Sequence, residues 1–156
     1  MNRVAKHQLP RDRVATRLRR LGLPVRAGSP TLGYDLLVDG HLRVSLRVAF
    51  PSKRRHQVTV AGRSYAYQYH SWHFNFHHHG EMRERYADFV VCIAVPTHRT
   101  GRAQIFVIPW EHLAGKTFSL HAGRRPYAGQ YARFRDAWQV VSEAVRRESH
   151  RLPAVA

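Results

Sequence analysis

The stretch that most constrains this chain is LRVSLRVAF, residues 42–50, in which Leu42, Val44, Leu46 and Val48 alternate with Arg43, Ser45 and Arg47. A period of two belongs to a strand with one apolar and one polar face, because successive side chains leave a strand on opposite sides. Just upstream, GYDLLVDG (33–40) supplies a second strand ending in a turn dipeptide, so the two read as an antiparallel hairpin. A slip of one residue would turn every side chain over, so the apolar faces decide the register. A two-residue turn at Asp39 and Gly40 pairs Val38 with His41 and Leu36 with Arg43, mixing apolar and charged groups. A three-residue loop, Asp39 to His41, instead pairs Val38 with Leu42, Leu36 with Val44 and Tyr34 with Leu46, giving one apolar face. It also sets Asp35 opposite Ser45, with Arg43 and Arg47 as neighbours close enough to pair with its carboxylate. Such a loop prefers glycine in its last position; here the glycine is central, which leaves the loop type open.

Around this hairpin the periodicity predicts a helix over LPRDRVATRLRRLGL, with Pro10 in its first turn, Asp12 near its positive end and Gly22 as its stop. Val14, Leu18 and Leu21 form its buried stripe, and Arg11, Arg13, Arg17, Arg19 and Arg20 crowd the rest of its surface. Strands are expected at 34–38, 42–49, 64–76, 89–95 and 104–108. Between the second and third, FPSKRRHQVTVAGR is basic and broken by Pro51 and Gly62, so it reads as a substrate-facing loop. PWEHLAG predicts a short helical turn and TFSL an edge strand. Tyr131, Phe134, Trp138, Val141 and Val145, spaced by three and four, mark an amphipathic helix from Gln130 to about His150. The expected architecture is a single α/β domain over residues 1–156, with a frayed tail at 152–156. Its core is a central mixed sheet of about five strands flanked by an N-terminal and a C-terminal helix.

Charge narrows the partner. Twenty-six Lys and Arg stand against 10 Asp and Glu, a net +16, and the cations are mostly arginine. Arginine's forked donors suit phosphate oxygens, and each neutralised phosphate releases counterions, so nucleic acid is the natural partner. The basic residues are spread along the chain rather than flanking one amphipathic segment, which argues against a membrane surface. The longest uncharged apolar run, Phe89 to Pro96, is far short of a membrane span, and no apolar segment follows the basic N-terminus as in a signal peptide. The lone Cys92 inside FVVCIAV reads as a buried residue of a reduced, cytoplasmic protein.

A helix, a strand bearing Asp, a short hairpin and a strand carrying a two-residue-spaced pair follow one another in the order of the PD-(D/E)XK nuclease superfamily. GYDLLVDGHLRVSLRVAFPS resembles its active-site hairpin, and WHFNF, YADFVVCIAV and IFVIPWEHL resemble later strands of small endonuclease-like and Holliday-junction-resolvase-like members, over roughly residues 10 to 115. The resemblance implies a restriction-endonuclease-like fold, a phosphodiester substrate and Mg²⁺ held by two carboxylates beside a lysine. Asp35 stands at the family's aspartate, Ser45 where the second carboxylate belongs and Arg47 where the lysine belongs. A serine removes one negative charge, so Asp35 alone makes a weak or absent metal site. Arg47 stays protonated and can grip phosphate but cannot accept a proton. Glu81, Glu84 and Glu111 could supply a migrated carboxylate, although Glu81 and Glu84 also suit a solvated turn pairing with Arg83 and Arg85.

YAYQYHSWHFNFHHHG changes parity midway: Tyr65, Tyr67 and Tyr69 are odd, Trp72, Phe74 and Phe76 even, which predicts a bulge near His70 and Ser71. His73, Asn75 and His77 then share the polar face, where His73 and His77, about 13 Å apart on a strand, cannot chelate one ion without a third element. Solvent or phosphate therefore suits His73, His77, His78 and His79 better than zinc. The tyrosines could stack on bases or fill the core.

The leading expectation is a DNA-binding protein, duplex DNA preferred over RNA, on a nuclease-like scaffold with catalysis weakened or lost. Arg43, Arg47, Lys53, Arg54, Arg55, Arg17, Arg20, His73 and Asn75 are its candidate nucleic-acid contacts. Two alternatives use the same residues. One is an active Mg²⁺- or Mn²⁺-dependent endonuclease with Asp35, a migrated glutamate, and Asn75 or His73 orienting water. The other is a basic subunit of an RNA-protein particle. A homodimer is compatible with each, as many relatives pair.

Overall fold

The computed structural model describes residues 3–77, 85–123 and 125–151, with side chains for 10–77, 85–123 and 125–150. Helix α1 (Arg3–Arg20) is followed by strands β1 (Val25–Ala27), β2 (Leu36–Val38), β3 (Leu42–Ala49), β4 (Ser52–Val60), β5 (Arg63–Asn75), β6 (Phe89–Ala94), β7 (Gln104–Pro109) and β8 (Thr117–His121), then helix α2 (Gln139–Arg151). A five-stranded mixed sheet has the order β1-β2-β3-β6-β7, parallel only between β3 and β6. Strands β4, β5 and β8 form a second, antiparallel sheet.

Alternation explains the layering. One face of the five-stranded sheet carries Leu36, Val38, Val44, Phe89, Val91 and Val107, packed on Val14, Ala15 and Leu18 of α1 and Val141 of α2. The opposite face carries Ala49, Val90, Cys92, Phe106 and Ile108, covered by Trp72, Phe74 and Phe76 of the β5 chain and by Phe118 and Leu120 of β8. Phe118 anchors this second core, its ring centroid 5.3 Å from Phe74, 5.1 Å from Phe106 and 4.9 Å from Tyr131. Each such aromatic pair adds about 0.5–1.5 kcal/mol beyond its buried area. The buried Cys92 thiol sits in this layer, where burial pushes its pKa up. No described helix is long and apolar enough to cross a membrane.

The hairpin register matches its apolar logic: Val38 faces Leu42 and Leu36 faces Val44 across the loop Asp39 to His41. Left-handed backbone falls on Asp39 (φ 50°) and Gly40 (φ 74°), so the central position is where glycine is wanted. Several expectations need correction. Helix α1 begins at Arg3 and Pro10 stands inside it, because losing one amide bond did not stop a helix arriving from the N-terminal side. Leu21 lies past the helix end and is 40% exposed. The fifth strand of the central sheet is β1, and the 64–76 stretch belongs to the second sheet instead. The 50–63 stretch is mostly strand β4, since neither Pro51 nor Gly62 interrupts its nine residues. The C-terminal helix starts at Gln139, and Tyr131 and Phe134 enter the aromatic core from a 3-10 turn at Ala132–Phe134.

No bulge explains the parity change in β5. The ladder to β4 runs unbroken from Ser52↔Ser71 to Val60↔Arg63 and continues into β8 from Ser71↔His121. The tyrosines lie on the outer face with His73 and Asn75, and Tyr65 and Tyr67 are 54% and 52% exposed. What changes at His70 is the surroundings: before it β5 stands clear of the body, where β4 and β5 project as a ribbon exposed on both faces, and after it the strand enters the body against β8.

Candidate functional site

The motif residues converge on the sheet face beneath β5. Strand β2 begins only at Leu36, opposite Val44, while β3 runs on to Ala49, so the ladder would lapse beside Ser45 and Leu46. Asp35 bridges the lapse: its N–H donates to the Val44 carbonyl (2.8 Å), and its Oδ2 accepts the Leu46 N–H (2.7 Å). The carboxylate thus stands in for a missing strand partner through a charge-assisted bond. Ser45, opposite in register, is fully buried, and its hydroxyl has no hydrogen-bond partner.

Arg47 does not pair with Asp35. Its Nη2 donates to the Tyr86 hydroxyl (3.0 Å), its Nη1 to the Leu46 carbonyl (3.3 Å), and the guanidinium carbon lies 5.4 Å from the Tyr86 ring centroid. Its Nε is buried without a partner. Tyr86 is the pivot of this corner: its hydroxyl donates to the Phe76 carbonyl, and its ring meets Trp110 edge-on at 4.7 Å. A Cβ on Gly33 would come within 2.9 Å of it, so the backbone there passes too close for any side chain. Burial raises the Tyr86 pKa, against the lowering influence of Arg47, so the hydroxyl stays protonated and donates.

Arg43 likewise turns from Asp35. Both its backbone N–H (2.7 Å) and its Nε (3.4 Å) donate to Asp88 Oδ2, while Arg85 Nη2 donates to Asp88 Oδ1 (2.7 Å). Asp88, its side chain only 14% exposed, is therefore saturated by two arginines. The expectation that Arg43 and Arg47 pair with Asp35 gave way because each has a better-placed partner on the β6 side. Tyr86 and Asp88 went unnoticed as site residues; their signal was the YAD immediately before the apolar run of β6.

The remaining candidates are scattered. Arg17 and Arg20 are exposed on α1, on the helical side of the five-stranded sheet, where they help line a cleft of about 610 Å³ with Ile93, Val95 and Trp138. The sheet itself separates them from the motif. His73 and Asn75 point outward from β5, His73 Nδ1 lying 2.9 Å from Ser119 Oγ and Asn75 Oδ1 accepting the His77 N–H (2.9 Å). Their orientation opposes that of Trp72 and Phe74, so neither reaches Asp35 to orient water there. Glu111 is exposed on the turn after β7 with no hydrogen bond or ion pair to the motif; Glu81, Glu84, His78 and His79 lie outside the described residues. Among the described residues no three His, Cys, Asp or Glu cluster as a metal site.

Lys53, Arg54 and Arg55 do come together, on the ribbon. Arg54 faces Tyr69 across the ladder, Arg55 faces Gln68 and Lys53 faces His70, all three cations exposed. No acidic residue occurs between Asp39 and Glu81, so the ribbon carries positive charge without internal neutralisation.

No family model matches the chain, and no curated protein matches it. Among solved structures it is similar to a bacterial homing endonuclease, I-Ssp6803I, with a TM-score of 0.61 and 17% sequence identity over 95% of this chain and 98% of that one. At that identity the likeness is one of architecture, and it gives the chain a nuclease-like fold.

Proposed function

We propose that this protein binds double-stranded DNA on a PD-(D/E)XK-type scaffold whose phosphodiester-cleaving centre is weakened or lost. The observation that carries the reading is the β4–β5 ribbon: basic, free of acids, and exposed on both faces beyond the body. An isolated two-stranded ribbon is marginal in water, so one held out by a third strand and an aromatic core suggests a partner. Lys53, Arg54, Arg55 and Arg63 make no ion pair within the described chain, which leaves them free to displace counterions from phosphates. The fold neighbour's description as an endonuclease favours DNA as the polyanion.

The motif corner favours holding over cutting. Mg²⁺ wants several oxygen ligands, usually including more than one carboxylate in a phosphodiesterase. Here Asp35 already accepts a backbone N–H, Asp88 is neutralised by Arg43 and Arg85, Ser45 is neutral and buried, and Arg47 brings a permanent cation. That donor set does not fit the ion, and no catalytic step follows from it.

Fluorescence anisotropy with a labelled duplex over a salt series, run beside supercoiled plasmid incubated with Mg²⁺ or Mn²⁺, tests both halves. The expected result is salt-dependent duplex binding with the plasmid intact. Absence of binding near physiological salt would overturn the binding half. Metal-dependent nicking abolished by Asp35→Ala would overturn the other.

A further inference from the structure

We infer that the two faces of the ribbon have different tasks: Arg55, Gln57 and Gln68 read base edges in the major groove of B-form DNA, while the opposite, aromatic face stiffens the ribbon. The inference rests on the duplex-binding reading and adds which residues determine sequence preference.

The unbroken ladder sorts the side chains without ambiguity. Arg54, His56 and Val58 share a face with Tyr65, Tyr67 and Tyr69, while Lys53, Arg55 and Gln57 share the other with Ala66, Gln68 and His70. On the first face the rings are occupied with one another: His56 lies 5.4 Å from Tyr67, Tyr67 6.0 Å from Tyr69, and Tyr69 5.3 Å from His121 of β8. This line of rings ties the projecting part to the anchored part, as cross-strand aromatic pairs do.

The second face is the reverse. Arg55, Gln57 and Gln68 are exposed, and none makes a hydrogen bond or ion pair within the described chain. Arg55 stands opposite Gln68, and Gln57 opposite Ala66, whose methyl group leaves the polar tips unobstructed. Guanidinium and carboxamide groups are the side chains that bond base edges in pairs, arginine to guanine and glutamine to adenine. Three of them within one small patch would span about two or three base pairs. At the tip of this face Thr59 and Ser64 bond each other (3.1 Å), and at its base Lys53 is placed for a phosphate.

Dimensions favour duplex DNA. Two strands about 4.8 Å apart, with side chains, fit a major groove about 12 Å wide. The major groove of A-form RNA is too narrow and deep to admit them. The same strand face continues inward as Trp72 and Phe74, which cover the motif-bearing sheet, so a duplex read by this face lies on the motif side of the molecule.

The test is selection from a randomised duplex library with the full chain, followed by anisotropy on the selected and a scrambled duplex. Wild type should prefer the selected duplex. Arg55→Ala and Gln68→Ala should each cut that preference by about tenfold or more, at particular base positions. Lys53→Ala should weaken both duplexes equally, and Tyr67→Phe should leave the ratio unchanged; circular dichroism confirms each variant's fold. Duplex binding without any preference, or a preference untouched by Arg55→Ala, Gln57→Ala and Gln68→Ala, overturns the inference and leaves the duplex-binding reading standing. Equal binding to A-form RNA also overturns it. No binding to any duplex removes the duplex-binding reading itself, and the inference with it.

Discussion

The body and the ribbon use the same basic residue types to opposite ends. In the body, Arg43 and Arg85 close on Asp88, and Arg47 closes on Tyr86. In the ribbon, Lys53, Arg54, Arg55 and Arg63 meet no carboxylate among the described residues. Arginine count alone therefore overstates the surface offered to phosphate, and the difference lies in whether an acceptor is within reach. The corner around Asp35 is a structural joint, in which Asp35 completes a ladder and Arg47 donates to the Tyr86 hydroxyl, while the ribbon contains no acidic residue of its own.

The largest test of this contrast removes the ribbon's charge. Lys53→Ala/Arg54→Ala/Arg55→Ala should weaken duplex binding about 100-fold and flatten the salt dependence by about two to three phosphate contacts, with the melting temperature little changed. If anisotropy shows affinity retained, the body carries binding and the contrast fails. Next is Asp88→Ala, which strands two arginines and the Arg43 N–H. Urea unfolding should register a loss of about 2–3 kcal/mol, and the freed arginines should leave duplex affinity unchanged or slightly higher. A drop in affinity of the folded variant would place the phosphate contact in the body instead.

A smaller effect is alkaline. The Cys92 thiol has its folded pKa above its usual 9.0, through burial, so its contribution to stability is present below about pH 9 and is lost as pH rises above it. Urea unfolding should show on the order of 1 kcal/mol lost by pH 10, and Cys92→Ala should abolish that part of the slope. Tyr86 adds the same sign of change from its usual 10.0 upward. The smallest effect is at Ser45: its hydroxyl is buried and unpartnered, so Ser45→Ala should be neutral or stabilising by up to about 1 kcal/mol and leave duplex binding intact. Loss of binding on this change would restore Ser45 to a functional role.

Legibility followed from how local each cause is. The 42–49 strand, its loop and its register could be read because alternation and one buried face admit a single solution. The 50–63 stretch misled because a strand exposed on both faces has no apolar alternation to betray it, only its pairing with β5. Likewise the odd tyrosines looked like half of a bulged core strand, since the sequence cannot say where a strand leaves the body. Asp88 was hidden because its importance comes from Arg43, forty-odd positions earlier, brought alongside by the parallel β3–β6 pairing.

By itself, then, the amino-acid order determined the hairpin with its one apolar face, the inward-facing Trp72, Phe74 and Phe76, and a net charge of +16. Each depends on side-chain period or composition. Only the tertiary structure decided which arginines remain free, because that depends on acceptors supplied by distant segments. It also decided that the basic stretch stands out as a two-faced ribbon, because that depends on where the second sheet stops covering the first.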